Sequence, residues 1–351
     1  MTESKKQYLE KLFPGNSTCL VKKYLTKTLY KKLKNKATQS GYMLKHAIAS
    51  GIANPDSKIG IYAGDAESYD TFAQLFDPII ADYHAYQHTI KMTGRSSEFH
   101  QAPLDQHNKY ILSTRIRIAR NLEGYPFPCF VSSTERHQIE QLILKAFKNF
   151  PGKLKGSYFP LKTFFDLKST PVNPKLFPGK PDRFMEAAGM ARDFPDARGV
   201  YLSDNHKFMV WINEEDHLRI ISMEKGSDLL QVYNNLNKGI KKLNKELKFS
   251  HTEKYGFLTS CPSNIGITMR AGVHIRLPRL NRQKNILYRI VRQNNLQIRG
   301  GSGENSNIEN SVFDISNKQK IRITEDQCLN ILTHAVQKII CLEESLEKSC
   351  K

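Results

Sequence analysis

ILSTRIRIARN, residues 111–121, alternates with period two, so Ile116 and Ile118 share one face of a strand and Arg115 and Arg117 share the other. That alternation marks a change in the chain. Before it, residues 1 to about 86 read as helical. TKTLYKKLKNKAT has Leu29 and Leu33 at helical spacing, and YDTFAQLFDPIIADYHAY carries Phe72, Leu75, Phe76, Ile79, Ile80 and Tyr83 on one stripe. Pro78 should break or kink that second helix. SGIANPDSKIGIYAGD, dense in Gly, Asn, Pro and Asp, reads as a loop between them, and residues 89–108 lose periodicity like a linker.

After it, β-rich runs follow one another: GVYLSDNHKFMVWINEEDHLRIISME, KYGFLTSCP, GVHIRLP and NLQIRGG. A helix is expected over residues 227–247, with Leu229, Val232, Tyr233, Leu236, Ile240, Leu243 and Leu247 on one face and Ser227 as its N-cap. Adjacent strands interleaved with helices suggest one large antiparallel sheet backed by helices. The expected class is therefore α+β: a small all-helical domain over residues 1–90, a linker over 91–109, and a larger sheet domain over 110–351.

The 351 residues suffice for two domains, and 39% apolar with 25% charged residues is an ordinary globular composition. The net charge of +19 favours anionic partners, although much of it comes from lysines on presumptive surface helices. The six cysteines, Cys19, Cys129, Cys261, Cys328, Cys341 and Cys350, show neither CxxC nor zinc-like spacing and read as free thiols of a reducing compartment. The N-terminus has no signal-peptide core and no run of about 18 apolar residues exists, so a cytoplasmic protein with no membrane partner is expected.

Planar guanidinium forks bind phosphate oxygens two at a time, so Arg115 and Arg117 on a rigid strand can form a polyphosphate clamp. Taken alone they fit a solvated strand face equally well, and Arg120, out of phase, reads as structural. Arg219, Arg270 and Arg299 recur where strands give way to loops, and RGGSGENSNIENS suits either a lid or a plain surface loop. NEEDH, residues 213–217, interrupts an apolar strand with carboxylates that are costly there unless they bind a cation or move a proton. Cys261 in TSCPSN has hydroxyl and amide neighbours that can lower a thiol pKa, although buried inert cysteine is the commoner state. His84 and His88 lack further ligand partners, so no metal site is read there. GxxxxGK[ST], HRD, DFG and GxGxxG are all absent, so phosphate binding would rest on arginines.

GIYAGDAESYDTFAQLFDPIIADYH, STRIRIARNLEGYPFP, VWINEEDHLRIISME, LTSCPSNIGITMRAGVHIRLP and DISNK, in that order, resemble the phosphagen (guanidino) kinase family, most closely its arginine-directed members. The resemblance implies reversible transfer of the γ-phosphoryl group of MgATP to a guanidino nitrogen, giving ADP. By that resemblance Ser113, Arg115, Arg117, Lys175, Arg219, Arg270, His274, Arg299 and Asp314 contact the nucleotide. Magnesium would be held by phosphate oxygens and water and not by a protein ligand set. Glu215, Cys261 and Glu304 would be catalytic and grip the guanidinium, with Cys261 as a thiolate. Ser57, Lys58, Ile59 and Tyr62 would hold the acceptor's carboxylate, and Asp56 with Arg183 would bridge the domains.

The sequence also departs from the family's pattern. Lys58 stands where the arginine-directed members usually have glycine, Lys175 replaces a histidine, and Ser263 gives the creatine-kinase-like spelling. The segment after Glu304 lacks the usual histidine, and Asn310 and Ser311 take the place of glycines. L-arginine is the expected acceptor and a monomer the expected state; nucleic acid is not an expected partner. Another guanidine such as taurocyamine, or a non-catalytic anion-binding or nucleic-acid-binding protein, are the competing readings.

Overall fold

A computed structural model describes residues 12–85, 99, 102–148, 150–166, 179–300 and 310–348. The first stretch is helical: α1 (Leu20–Tyr24), α2 (Lys27–Leu33), α3 (Leu44–Ala47), α4 (Ala49–Ala53), α5 (Ser68–Thr71) and α6 (Ala73–His84). Thr26 caps α2 by accepting the Leu29 amide at 3.1 Å. On α6, Leu75, Phe76, Ile79 and Ile80 are buried as the periodicity predicts. Pro78 does not break this helix, which continues through it to His84. The apolar face, packed on α1 and the rest of this core, holds the helix together despite the donor missing at Pro78.

The loop between α4 and α5 is tied down at one close approach. Gly51 on α4 lies against the Gly60 backbone, and a Cβ there would meet the Gly60 carbonyl oxygen at 2.4 Å. Leu20 and Val21 amides donate to the Lys58 and Ile59 carbonyls at 3.1 and 3.2 Å, which fixes the loop from its other side. Gly51→Ala should therefore lower the unfolding midpoint by roughly 1–4 °C, from an overpacking cost of roughly 1–3 kcal/mol. A calorimetric midpoint matching that of the parent protein would show that the contact is not tight.

The second stretch contains β1 (Ile111–Arg120), α7 (Ser133–Phe147), β2 (Gly156–Pro160), α8 (Leu161–Asp166), α9 (Arg183–Ala187), β3 (Gly199–Ser203), β4 (Phe208–Ile212) and β5 (Leu218–Lys225). It continues through α10 (Leu229–Glu246), β6 (His251–Thr252), β7 (Gly256–Phe257), β8 (Arg270–Arg276), α11 (Lys284–Gln293), β9 (Leu296–Gly300), β10 (Val312–Asn317) and α12 (Glu325–Lys348). Eight strands form one sheet in the order β2-β3-β4-β5-β1-β8-β10-β9, every pair antiparallel. This is the expected α+β architecture.

Ile116 and Ile118 are buried on the face covered by α7, α10 and α12, where the largest core lies. Serine at 132 and glutamate at 135 form a reciprocal capping box that starts α7. On α10, Leu229, Val232, Leu236 and Leu243 are buried as expected, but Asp228 is the N-cap and accepts the Gln231 amide at 2.8 Å. Ser227 instead donates to the Asp105 carbonyl at 2.7 Å, a tertiary contact that the local pattern does not contain. KYGFLTSCP is a strand only at Gly256–Phe257; beyond it the chain makes a 3-10 turn at Pro262–Asn264 that carries Cys261 at its head. β2 and β10 were not expected. Arg120 is buried, donates to Thr268 Oγ1 at 2.6 Å and lies over the Phe257 ring at 3.4 Å, which is the structural role its phase suggests.

Candidate active site

The free face of the central strands collects the arginines. Antiparallel register sets Arg117 directly opposite Arg270, Arg115 opposite Gly272 and Ser113 opposite His274. One strand further, Asp314 stands between His274 on β8 and Arg299 on β9. Arg219 enters from β5, opposite Ala119, with its guanidinium 5.3 Å from the Trp211 ring. Like charges directly opposite in a sheet are destabilising, so the Arg117–Arg270 pair is a local cost of this register.

The local electrostatics agree. Burial pushes the Arg115 guanidinium down to about 10, and Arg219 and Arg270 push in the same direction. Arg117 is held well below the ordinary arginine range by burial and by Arg219, Arg270 and Arg115. Arg219 is paired with Glu214 and Glu215, each at 2.9 Å, and Arg270 with Asp314 at 2.6 Å. Among the described residues Arg115 and Arg117 have no carboxylate within ion-pair distance, and the Arg115 Nε is buried without a hydrogen-bond partner. Gly272 leaves room beside them: a Cβ there would come within 2.8 Å of Ser316 and 3.2 Å of Asp314 Oδ1.

At one end of this cleft Ser113 Oγ lies 3.1 Å from His274 Nδ1. Burial lowers the His274 pKa, opposed by Asp314. At the other end, the tight β4–β5 turn presents Glu214, Glu215 and Asp216. Asn213 at φ 55° starts the turn, and its amide donates to the His217 carbonyl at 2.9 Å. Burial raises the Glu215 carboxyl well above the ordinary range, against the opposing pull of Arg219. Its Oε2 accepts from Arg219 at 2.9 Å and from Asn264 Nδ2 at 3.3 Å. Asp216 turns inward and accepts from Asn121 and from the Ser260 amide, each at 2.7 Å, which ties this turn to the Cys261 segment.

Cys261 is buried, with Sγ 3.0 Å from Ser263 Oγ. Burial, then Glu215, push its thiol up to about 12, against a smaller lowering by Ser263. In the free protein a desolvated sulfur beside a carboxylate favours its protonated form. The helical domain grips the same segment. Ala63 donates to the Ser260 carbonyl at 2.8 Å, Tyr69 to the Thr259 carbonyl at 2.7 Å, and His84 Nε2 lies 2.9 Å from the Pro262 carbonyl.

Tyr62 is buried nearby, its hydroxyl pKa raised by burial and then by Cys261 and Glu215. In the loop before it, Ile59 is buried and the Lys58 side chain is exposed. Ser57 donates its amide to the Asn54 carbonyl at 3.0 Å and accepts the Gly60 amide on Oγ at 3.1 Å, so its own amide is already occupied. Asp56 and Arg183 form an ion pair between the two parts of the chain. Lys175 and Glu304 lie outside the described residues, as do His88 and most of the residues read as linker and lid.

The sequence reading did not single out Glu214, Asn264 or Lys320. Lys320 follows DISN closely and donates to Asn264 Oδ1 at 2.7 Å, placing a cation beside Glu215 and Arg117. A larger cavity of about 590 Å³ lies across the sheet, lined by Lys153, Lys207, Lys238, Lys241, Lys242 and Lys245 over Leu154 and Phe208. It takes up part of the excess charge but brings no carboxylate or thiol together.

Comparison with known proteins gives one family throughout. The family described as ATP:guanido phosphotransferase, N-terminal domain, matches residues 15–81, and its C-terminal catalytic domain matches residues 138–346. An arginine kinase from Callinectes bellicosus is 41% identical over 334 residues, 93% of each chain. An arginine kinase from Schistocerca americana is 41% identical over 344 residues, 96% of each chain. Among solved structures, a lombricine kinase superposes with a TM-score of 0.87 at 32% identity, covering 97% of this chain and 96% of that one. A duplicated taurocyamine kinase from Schistosoma mansoni, with bound transition-state-analogue components, superposes with a TM-score of 0.84 at 36% identity. That match covers 97% of this chain and 49% of the duplicated one.

Proposed function

The chain belongs to the ATP:guanido phosphotransferase family and is a phosphagen kinase, and from that premise we propose that its acceptor is L-arginine, phosphorylated reversibly from MgATP to phosphoarginine and ADP. The observation that carries the reading is the Arg115–Arg117–Arg219–Arg270 face, with two guanidiniums lacking a carboxylate partner among the described residues, ending at the Glu215–Cys261 pair. Phosphates placed on that face would relieve the repulsion between its cations. Fixed cations also stabilise charge on the transferring group without rearrangement, which is most of what phosphoryl transfer requires. Arg299, Ser113, His274 and Asp314 would hold the rest of the nucleotide, with Lys175 proposed there from the resemblance alone.

Magnesium would sit on phosphate oxygens and water, the coordination this small, reluctantly dehydrated ion takes in kinases. When bound it would neutralise phosphate charge. Glu215 would accept a guanidinium proton on the oxygen that Arg219 and Asn264 do not use. The freed nitrogen would then form the N–P bond as the bond from the γ-phosphorus to the bridging oxygen of ADP breaks, leaving the electron pair on ADP. The Cys261 sulfur would orient that nitrogen, its thiol releasing its proton to solvent as the cationic acceptor arrives. Glu304 is proposed as the second carboxylate on the guanidinium. Holding both reactants in line supplies up to ~7–11 kcal/mol of barrier lowering in favourable cases.

At the other end of the acceptor, Tyr62 and the amides near Lys58 and Ile59 would meet the carboxylate. Lys58 projects to solvent, which leaves the compact loop in charge and favours an amino acid over a sulfonate. The 41%-identical arginine kinases support the same choice, whereas the structural neighbours act on taurocyamine and lombricine by name. The free state of the described cysteines fits a cytoplasmic setting, and no described helix is long and apolar enough to cross a membrane. A monomer is carried over from the resemblance. In a coupled assay with a panel of guanidines, L-arginine should lead by at least about tenfold in kcat/KM, or ~1.4 kcal/mol. Taurocyamine or lombricine ahead of arginine would overturn the assignment.

A further inference from the structure

Lys320 occupies the junction between the arginine face and the acceptor site. Its Nζ donates to the Ser263 carbonyl at 3.1 Å and to Asn264 Oδ1 at 2.7 Å, and its own carbonyl accepts the Ile267 amide at 2.9 Å. The same Asn264 side chain passes its Nδ2 to Glu215 at 3.3 Å. Lys320 thus fastens the Cys261–Asn264 turn from the side of β10, while His84 holds the Pro262 carbonyl from the side of α6. Arg117, Glu215, Arg219, Asn264, Arg270 and Lys320 line one small cleft.

We infer that Lys320 is a positioning residue of the transfer reaction, holding the Cys261–Asn264 turn against Glu215 and supplying a charge there. The inference rests on the phosphagen kinase reading. An ammonium group suits the place because it can divide its donors between two oxygens of one turn. The groups facing it come from every neighbouring element: Arg117 on β1, Arg270 on β8, Glu215 on the β4–β5 turn, Cys261 on its own turn, His84 on α6 and Cys328 on α12.

Burial, with Arg117 and Arg270 adding to it, pushes the Lys320 ammonium down to about 8, against Cys261 and Glu215. A lysine so lowered is charged below that pH and neutral above it. Its charge in turn lowers the Cys261 thiol, so losing it raises that thiol further.

Two variants test this. Lys320→Arg keeps a cation that does not titrate, and Lys320→Met removes the donor and the charge. In the parent protein kcat/KM for the guanidine should fall on the alkaline side near pH 8, and Lys320→Arg should carry that limb up by at least about one pH unit. Lys320→Met should raise the guanidine KM by about tenfold or more and the nucleotide KM much less. A second readout needs no turnover. Alkylation of Cys261, mapped by mass spectrometry, should rise less steeply with pH across the Lys320 titration in the parent, and evenly in Lys320→Arg. Superimposable pH profiles for parent and Lys320→Arg in both measurements would overturn the inference. So would a Lys320→Met protein with parental kcat/KM at pH 7. If the parent shows no guanidine-dependent turnover, the functional reading fails while the alkylation profiles still decide the role of Lys320.

Discussion

An Arg117→Met variant is expected to lose about 1000-fold in kcat while unfolding at no lower a temperature than the parent. The two halves come from one cause. Arg117 faces Arg270 across the strand pair and has no carboxylate partner among the described residues, so in the free protein its charge is a repulsive load. Methionine keeps the length of the apolar stem and removes the charge, and replacing buried charges by apolar groups of similar volume is often neutral or stabilising. In the transition state the same charge meets the transferring phosphoryl group, where one such contact supplies a factor of roughly 100 to 100,000. Arg270→Ala and Arg299→Ala should also lower kcat more than they weaken guanidine binding, but Arg270 carries an ion pair with Asp314 and its loss should cost stability as well. Steady-state kinetics with a thermal melt reads both. An Arg117→Met protein with near-parental kcat, or one that melts well below the parent, would remove the basis for a preorganised anion site.

Glu215→Gln should lower kcat by about 100- to 10,000-fold, the range for a positioned general base. The sign of its pH dependence follows from burial, which raises the Glu215 carboxyl above its ordinary value. The group is ionised and able to take a proton only above that raised pKa, so parental activity should fall as pH drops through it. The variant should lack this acid limb. Glu214 remains paired with Arg219 at 2.9 Å in the variant, so the arginine keeps a partner and the fold should hold. A Glu215→Gln protein within about threefold of parental kcat, or one retaining the acid limb, would assign the proton to another group.

Much of this site could be read along β1. Period-two alternation puts Arg115 and Arg117 opposite the buried Ile116 and Ile118, and the strand forms with that polarity. What alternation cannot supply is register. Arg270 and Arg219 meet Arg117 only because β8 and β5 pair on either side of β1, a contact spanning over a hundred residues. β10 was missed because VFDISN is short and directly follows the glycine-rich polar run RGGSGENSNIENS, so it reads as part of that loop; its polar residues serve the site, where Asp314 pairs with Arg270 and the buried Ser316 accepts from it. Ser227 and Asp228 are both good caps by type, and the distant Asp105 carbonyl decides between them. The Cys261 thiol shows the same dependence on distant partners. Its sequence neighbours, Ser263 above all, lower its pKa, but burial and Glu215, brought by the fold, outweigh them. Lys320 drew no notice because one lysine in a chain of net charge +19 is unremarkable until its neighbours are known.

The most direct test of the central claim is phosphorus-31 magnetic resonance of the purified protein incubated with MgATP and L-arginine. Growth of a phosphorus–nitrogen resonance, matched by loss of the γ-phosphate signal, and its reversal on adding excess MgADP, is the predicted result. ATP unchanged, or inorganic phosphate released with no phosphorus–nitrogen product, with L-arginine and with every other guanidine tried, would contradict it.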